Sequence, residues 1–451
     1  MENPDYRWWY VGLVSMVAII CRMLILLRPG YAWALAPDSD LYIGLAHGLR
    51  AGCGFAYLSH GRCGSSDFFR TPGYPLFLAL MPGVRAVVAA QSIMWGAVCF
   101  LLGCFMWSRW GMKTALTAAG FVALDVASIT NSSFITTDNL FALLVAFIVI
   151  SQLWVISRGL FDRRAICVTL LAALAIGAAT LIRPIGQLLV PLSLVPALLI
   201  PRQTLARRAA LSVAALLLSA IVVGAWMERN SGRAQMFTVS AEGDYQLYYH
   251  RAAEVIWYRK GMASGAKNYQ AIQDSLYLQL CSRSPNYCST PEGFREMGAR
   301  GMRICMRDPV ALGAVTLGSF ALIALNPYDS NVYKLTGTPR VKTNSMTGRY
   351  REMFKGGVEI AAFMLFEAAL LLLMWVGILL TLFRLDWKSR MQLVLVLYPL
   401  AVALLLMVPS SGILEAIQPR FRVACLPLLA MPAAVGWFGA TVLKNPRENI
   451  E

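Results

Sequence analysis

The chain has 451 residues, 58% of them hydrophobic and 14% charged, with a formal net charge of +16. An ordinary soluble domain of this size has no core large enough to absorb that much apolar surface, so the composition indicates a mainly α, polytopic membrane protein. Nor does the charge indicate a nucleic-acid binder, because it is spread over many loops without a basic helix or an aromatic-basic motif.

Apolar runs of about 17 to 25 residues, the length that crosses hydrocarbon, predict ten spans. They lie near Trp9 to Leu27, Ala86 to Trp107, Thr114 to Ile129, Asn139 to Ile156, Ala165 to Leu181, Pro184 to Ile200, Ala209 to Met227, Gly356 to Phe383, Met391 to Val408 and Phe421 to Leu443. The first span follows Arg7 without a small-residue cleavage pattern and is expected to be an uncleaved anchor.

Basic residues collect in alternate loops: Arg7; Arg109 and Lys113; Arg158, Arg163 and Arg164; Arg202, Arg207 and Arg208; Arg384, Lys388 and Arg390; Lys444 and Arg447. Cytoplasmic loops hold such an excess, so the first loop (28–85) and a long insert (228–355) are expected on the extracytoplasmic face. The predicted organisation is a seven-span catalytic module at 1–227, the insert at 228–355 and three spans at 356–451. Val310 to Leu325 is long enough for a short span, but crossing there would move the basic loops after it outside. A buried or interfacial helix is expected instead. The insert holds 17 Lys and Arg against 10 Asp and Glu, a surplus that suits an anionic partner such as a phosphate-bearing lipid.

Ten cysteines are present. Cys53 and Cys63 share the first loop and Cys281 and Cys288 lie seven apart in the insert, so each pair is a candidate disulfide in an oxidising compartment. His47, His60 and His250 show no zinc spacing with them.

In the first loop, Pro37-Asp38-Ser39-Asp40-Leu41-Tyr42 places two acids ahead of Tyr42, Leu45, Ala46 and Leu49, whose spacing predicts a surface helix. One acid serves as an N-cap or both serve a substrate; a general base needs a carboxylate within reach of the attacking hydroxyl. Arg70 precedes the rigid Thr71-Pro72-Gly73-Tyr74-Pro75 turn, either anchoring at headgroups or gripping phosphate. Asp138 opens the fourth span, as a cap or as a site acid, and Arg183-Pro184 forms a tight turn on the face where arginine is disfavoured, so an anionic partner is expected there. The same holds for Arg420 and Arg422 in Gln418-Pro419-Arg420-Phe421-Arg422. Tyr245, Tyr248 and His250, in an aromatic and basic stretch, join Tyr42 and Tyr74 as candidate sugar or acceptor contacts.

The order and placement of these motifs resemble the GT-C integral-membrane glycosyltransferases, most of all the branch of protein O-mannosyltransferases and lipid A aminoarabinose transferases. The resemblance is strongest from Ala36 to Pro75 and weakest in the insert. It implies a polyprenyl-phosphate sugar donor, transfer with inversion to a glycan, lipid or protein acceptor, Asp38 as base supported by Asp138, and Arg70, Arg183 and Arg420 on the donor phosphate. Two departures stand out: Ser39 follows Asp38 where the mannosyltransferases have an acid, which keeps Asp40 in play as the base, and Thr71 stands where the aminoarabinose transferases have lysine. A divalent cation is used by some members, and the sequence does not assign one here. The competing classes are a lipid-linked glycan flippase, which predicts ionisable residues near the middle of spans and repeated halves, and an O-antigen polymerase or ligase.

Overall fold

The computed structural model describes residues 8–30, 32–159, 161–200, 203–262, 265–282, 284, 286–327, 330–337, 357–410 and 420–439. Arg7, Arg202, Gln418, Pro419, Lys444 and Arg447 lie outside them, as do Lys355 at the insert's end and most of the stretch before it. Among the described residues the fold is helical apart from one hairpin, Ala56–Ser59 paired antiparallel with Arg62–Ser66. The Cys53–Cys63 disulfide closes that hairpin, and Cys281–Cys288 closes a short loop of the insert.

Seven helices among the described residues are long and apolar enough to cross a membrane: Trp8–Leu27, Val84–Trp110, Asp138–Arg158, Arg163–Ile182, Leu205–Ala234, Val358–Arg384 and Arg390–Met407. They coincide with seven of the ten expected spans. The third expected span is a pair of helices, Met112–Leu124 and Val126–Ser132, bent by 53°. The remaining two are the shorter apolar helices Pro184–Leu199 and Leu426–Phe438. Pro184–Leu194 is tightened into a 3₁₀ helix with Pro191 inside it, since a proline there removes an intrahelical hydrogen bond.

The bend at Leu124 frees carbonyls on one side and amides on the other, and in an apolar bundle each needs a partner. Arg22, fully buried in the first span, donates to the carbonyls of Val122 and Ala123 at 3.0 Å and to Ser128 Oγ at 2.6 Å. On the other side, Asp125 Oδ1 accepts from Ser128 N at 2.6 Å and Glu367 Oε2 accepts from Val126 N at 2.9 Å. Cation thus meets the helix C-terminus and carboxylate the N-terminus, as the macrodipole favours.

Glu367 also pairs with Arg422, which lies 3.8 Å from Asp125 and donates to the carbonyls of Ile323 and Asn326 at 3.1 Å. Those carbonyls end the Pro309–Leu325 helix, which meets Pro291–Arg307 at 100°. Pro309 stops the preceding helix and Asp308 caps the next, accepting from Ala311 N at 2.9 Å. Beyond Asn326, Val332 and Tyr333 pack with Val126, Ile360 and Met364, close to the start of Val358–Arg384. Pro291–Arg307 and Pro309–Leu325 are thus a second bent pair, together long and apolar enough to span a membrane.

Basic loops meet at the opposite end. Arg109 donates to Ser157, Arg208 to the carbonyls of Ala197 and Leu198, and Arg390 to that of Leu199. At the first-loop end, the insert helices enclose Tyr248, Trp257, Leu280, Phe294 and Met297, with Phe68 and Phe69 of the first loop packed against them. Glu367→Ala leaves Arg422 buried without its main partner and is expected to cost about 3–5 kcal/mol. Thermal unfolding in detergent should show a large fall in midpoint, which the double variant Glu367→Leu/Arg422→Leu recovers in part.

Candidate active site

The first loop is stitched to the turn ahead of Asp138. Ser39 Oγ donates to the Ile135 carbonyl and accepts from Ala36 N, both at 2.8 Å, while Ile135 N donates to the Ala34 carbonyl at 2.9 Å. Asp38 occupies the N-cap position of the surface helix Ser39–Arg50, yet its side chain caps nothing. Its Oδ1 accepts from Arg70 Nη2 at 3.0 Å, and its Oδ2 stands 3.6 Å from Arg420 Nη1. Asp40, in the first turn of the same helix, is exposed.

Arg70 is placed by the residues that follow it. Thr71 Oγ1 donates to the Ile182 carbonyl at 3.0 Å, and Tyr74 OH donates to Gln91 Oε1 at 2.9 Å. A Cβ on Gly73 would lie 2.8 Å from the Leu181 carbonyl oxygen and from Ile182 Cγ1. Only glycine lets the Gly73–Leu80 helix sit this closely on the end of Arg163–Ile182, and the next residue there is Arg183. The Thr-Pro-Gly turn therefore fixes Arg70 and Arg183 in one register. Arg70 Nη1 donates to Glu242 Oε1 at 2.8 Å and to Tyr42 OH at 3.3 Å, and its backbone N donates to Asp67 Oδ1 at 2.8 Å. Arg183 pairs with Asp138, which is buried at the start of Asp138–Arg158, and lies over the rings of Phe141 and Phe421 at 5.7 and 5.5 Å.

Burial pulls the Arg70 pKa down, but Glu242, Tyr42 and Asp38 together hold it above the ordinary value. Burial pushes the Tyr42 phenol up to about 12, with Arg70 opposing, so it remains a neutral hydroxyl at any working pH. Asp67 is also raised by burial, against the Arg70 amide and guanidinium.

These groups line a cavity of about 630 Å3, within the size range of small-molecule sites. Asp38, Asp138 and Glu242 meet Arg70, Arg183, Arg251 and Arg420 there, beside Tyr42, Thr137, Gln187, Gln246, His250 and Ser410. Ile182, Pro184, Ile185, Leu188 and Phe421 make an apolar side next to the guanidiniums. Of the candidates expected from sequence, Asp38, Asp138, Arg70, Arg183, Arg420, Tyr42 and His250 come together.

Other candidates are placed elsewhere. Arg422 was expected, like Arg420, to meet an anionic partner such as the donor phosphate but is fully buried among Glu367, Asp125 and helix-end carbonyls, because an alternate residue on the short Arg420–Val423 helix faces the bundle. Tyr74 is buried on Gln91, Tyr248 OH donates to the Leu276 carbonyl at 3.0 Å inside the insert, and Tyr245 packs on Tyr249 and Phe69. Asp40 is absent from the cavity wall. Glu242 went unrecognised because its partner Arg70 is 172 residues away; the one signal was its place beside the Asp244–Arg251 stretch. Among the described residues no group of three or more His, Cys, Asp or Glu side chains is placed to share a metal. Each cavity carboxylate is engaged by an arginine, so this donor set does not fit a resident divalent cation, and no step is derived through one.

No protein-family model and no curated protein matches the chain. Among solved structures it is similar to the oligosaccharyltransferase AglB of Archaeoglobus fulgidus. The AglB structure tethered by a disulfide to an acceptor peptide containing the NVT sequon matches with a TM-score of 0.53 at 13% identity, over 96% of this chain and 49% of that one. AglB in complex with an inhibitory peptide and a dolichol-phosphate matches with 0.53 at 11% identity, over 97% and 50%. ArnT from Cupriavidus metallidurans bound to undecaprenyl phosphate aligns at 15% identity over 96% and 78%, with a TM-score of 0.39. The chain spans about half the length of AglB, and at these identities the likeness shows the fold alone.

Gly73→Ala forces its new methyl against the Leu181 carbonyl and is expected to destabilise by about 1–3 kcal/mol. Gly120→Ala, where nothing lies within 4 Å, should leave the thermal midpoint unchanged or raised in the same measurement.

Proposed function

Given the GT-C fold shared with AglB, we propose that this protein is a membrane glycosyltransferase that moves a sugar from a polyprenyl-phosphate donor to an envelope glycan, lipid or protein acceptor, with inversion. One observation carries this reading: a carboxylate, Asp38, held between two guanidiniums in a cavity whose other side is apolar. The arginines suit a phosphate and the apolar side suits an isoprenoid chain. AglB, which shares the fold, binds a dolichol-phosphate and an acceptor peptide.

In the proposed step, the acceptor oxygen bonds to the anomeric carbon as the bond from that carbon to the phosphate oxygen breaks. The carrier phosphate leaves with the electron pair, and Asp38 takes the hydroxyl proton. Arg183, Arg420 and Arg70 meet the charge that develops on the phosphate, and Asp138 holds Arg183 in place. Residues 1–227 form the catalytic module, 228–355 an insert on the same face, and 356–451 the part that supplies Arg420. The gathering of basic loops at the end opposite the cavity supports an extracytoplasmic site in a bacterial inner membrane.

Mass spectrometry of lipid-linked sugars and envelope glycans, with and without the protein, identifies donor and acceptor. With that pair, Asp38→Asn is expected to lower transfer by about 10²–10⁴-fold, while Asp40→Asn stays near wild type and both variants keep their unfolding midpoint. Full transfer by Asp38→Asn would remove the base assignment. Arg420→Ala should weaken binding of undecaprenyl phosphate by at least about tenfold, the loss of one charge-assisted hydrogen bond.

A further inference from the structure

The insert supplies a wall of the cavity that the donor chemistry does not use. Glu242, Gln246 and His250 follow one another at four-residue intervals and all line the cavity, with Leu247 and Arg251 between and beside them. Gln246–Ala252 is a π-helical turn, a rare conformation that concentrates at functional sites. Four of its seven residues face the cavity.

The turn is held from several sides. Gly301 of Pro291–Arg307 lies flush against it, since a Cβ there would come 2.9 Å from Tyr248 N and 3.0 Å from the Leu247 carbonyl carbon. Gln273 Nε2 donates to the Tyr249 carbonyl at 3.0 Å and lies 3.2 Å from His250 Nδ1. Upstream, Ala241 N donates to the Phe68 carbonyl at 3.1 Å and Glu242 is bound by Arg70. An uncommon backbone is thus built into place against the loop that carries Asp38.

Its side chains form a particular set. Glu242 accepts, the Gln246 amide both donates and accepts, and the His250 imidazole, whose Nδ1 faces the Gln273 amide, carries its proton at Nε2 as a donor. Sugar hydroxyls, which donate and accept at once, need such a set. The two strands of the first-loop hairpin contribute no residue to the cavity, so strand addition to that edge does not bring a peptide to it.

We infer that this π-helical wall binds the acceptor and that the acceptor is a carbohydrate, its hydroxyls held by Gln246 and His250 beside Glu242. The inference rests on the proposed glycosyltransferase reading and adds the acceptor class to it. Two measurements on the full-length protein in detergent separate them: binding of undecaprenyl phosphate by native mass spectrometry, and saturation-transfer NMR with methyl glycosides of mannose, glucose, galactose and N-acetylglucosamine and with a blocked Ala-Thr-Ala peptide. The wild-type protein should bind the lipid phosphate and show saturation transfer to at least one glycoside. Gln246→Ala and His250→Ala should each weaken that glycoside by about five- to tenfold, one hydrogen bond's worth, with lipid phosphate binding unchanged. Signal from the peptide alone, from no glycoside, or undiminished in both variants overturns the carbohydrate wall and leaves the transferase reading standing. Failure of the wild-type protein to bind undecaprenyl phosphate overturns the transferase reading instead.

Discussion

A guanidinium inside an apolar bundle must be met by carboxylates and carbonyls, because leaving it unpaired costs more than any packing around it returns. This constraint organises the molecule. Arg22 and Arg422 are the two largest fully buried charged side chains, and both spend their donors on the broken span at Leu124, on its carboxylate partners, or on the end of the 309–325 helix. A break in a membrane helix is tolerated only where its backbone groups are satisfied again. Here two arginines, Asp125 and Glu367 do so, tying the first span, the broken third, Val358–Arg384, the 309–325 helix and the short Arg420–Val423 helix into one frame.

The site is the same device turned outward. Arg70, Arg183 and Arg420 also pair with acids, but their partners lie on a cavity wall, and Asp38 is shared between two of them. Arg420 and Arg422 show the two uses side by side. One faces the cavity, and the other, two residues on, is locked beneath it. The buried pair anchors the short helix from which Arg420 reaches Asp38, so the inner frame and the outer site share one rigid connection. Arg70 is the second connection, since its two Nη atoms join the first loop to the insert through Asp38 and Glu242.

Much of this was legible along the chain. Apolar length and basic loops are local properties, so seven spans and the gathering of positive charge at one end appear where hydropathy put them. The local turn chemistry around Asp38, Arg70 and Arg183 likewise pointed to one face. A window of hydropathy cannot register a bend, however, because its average over Met112–Ser132 absorbs the one carboxylate, Asp125, that sits at the break. Nor does it register the 100° turn between Pro291–Arg307 and Pro309–Leu325.

The sequence by itself determined a helical membrane protein with an acid and several arginines gathered on one face, since these follow from composition, run length and residue type. Tertiary structure alone decided that Asp38 and not its neighbour Asp40 meets the arginines, that Arg422 is withdrawn from the site Arg420 enters, and that Glu242 joins it. The reason is directional. Helix phase turns residues one or two apart toward different surroundings, and an ion pair across 172 positions exists only once the chain has folded those positions together.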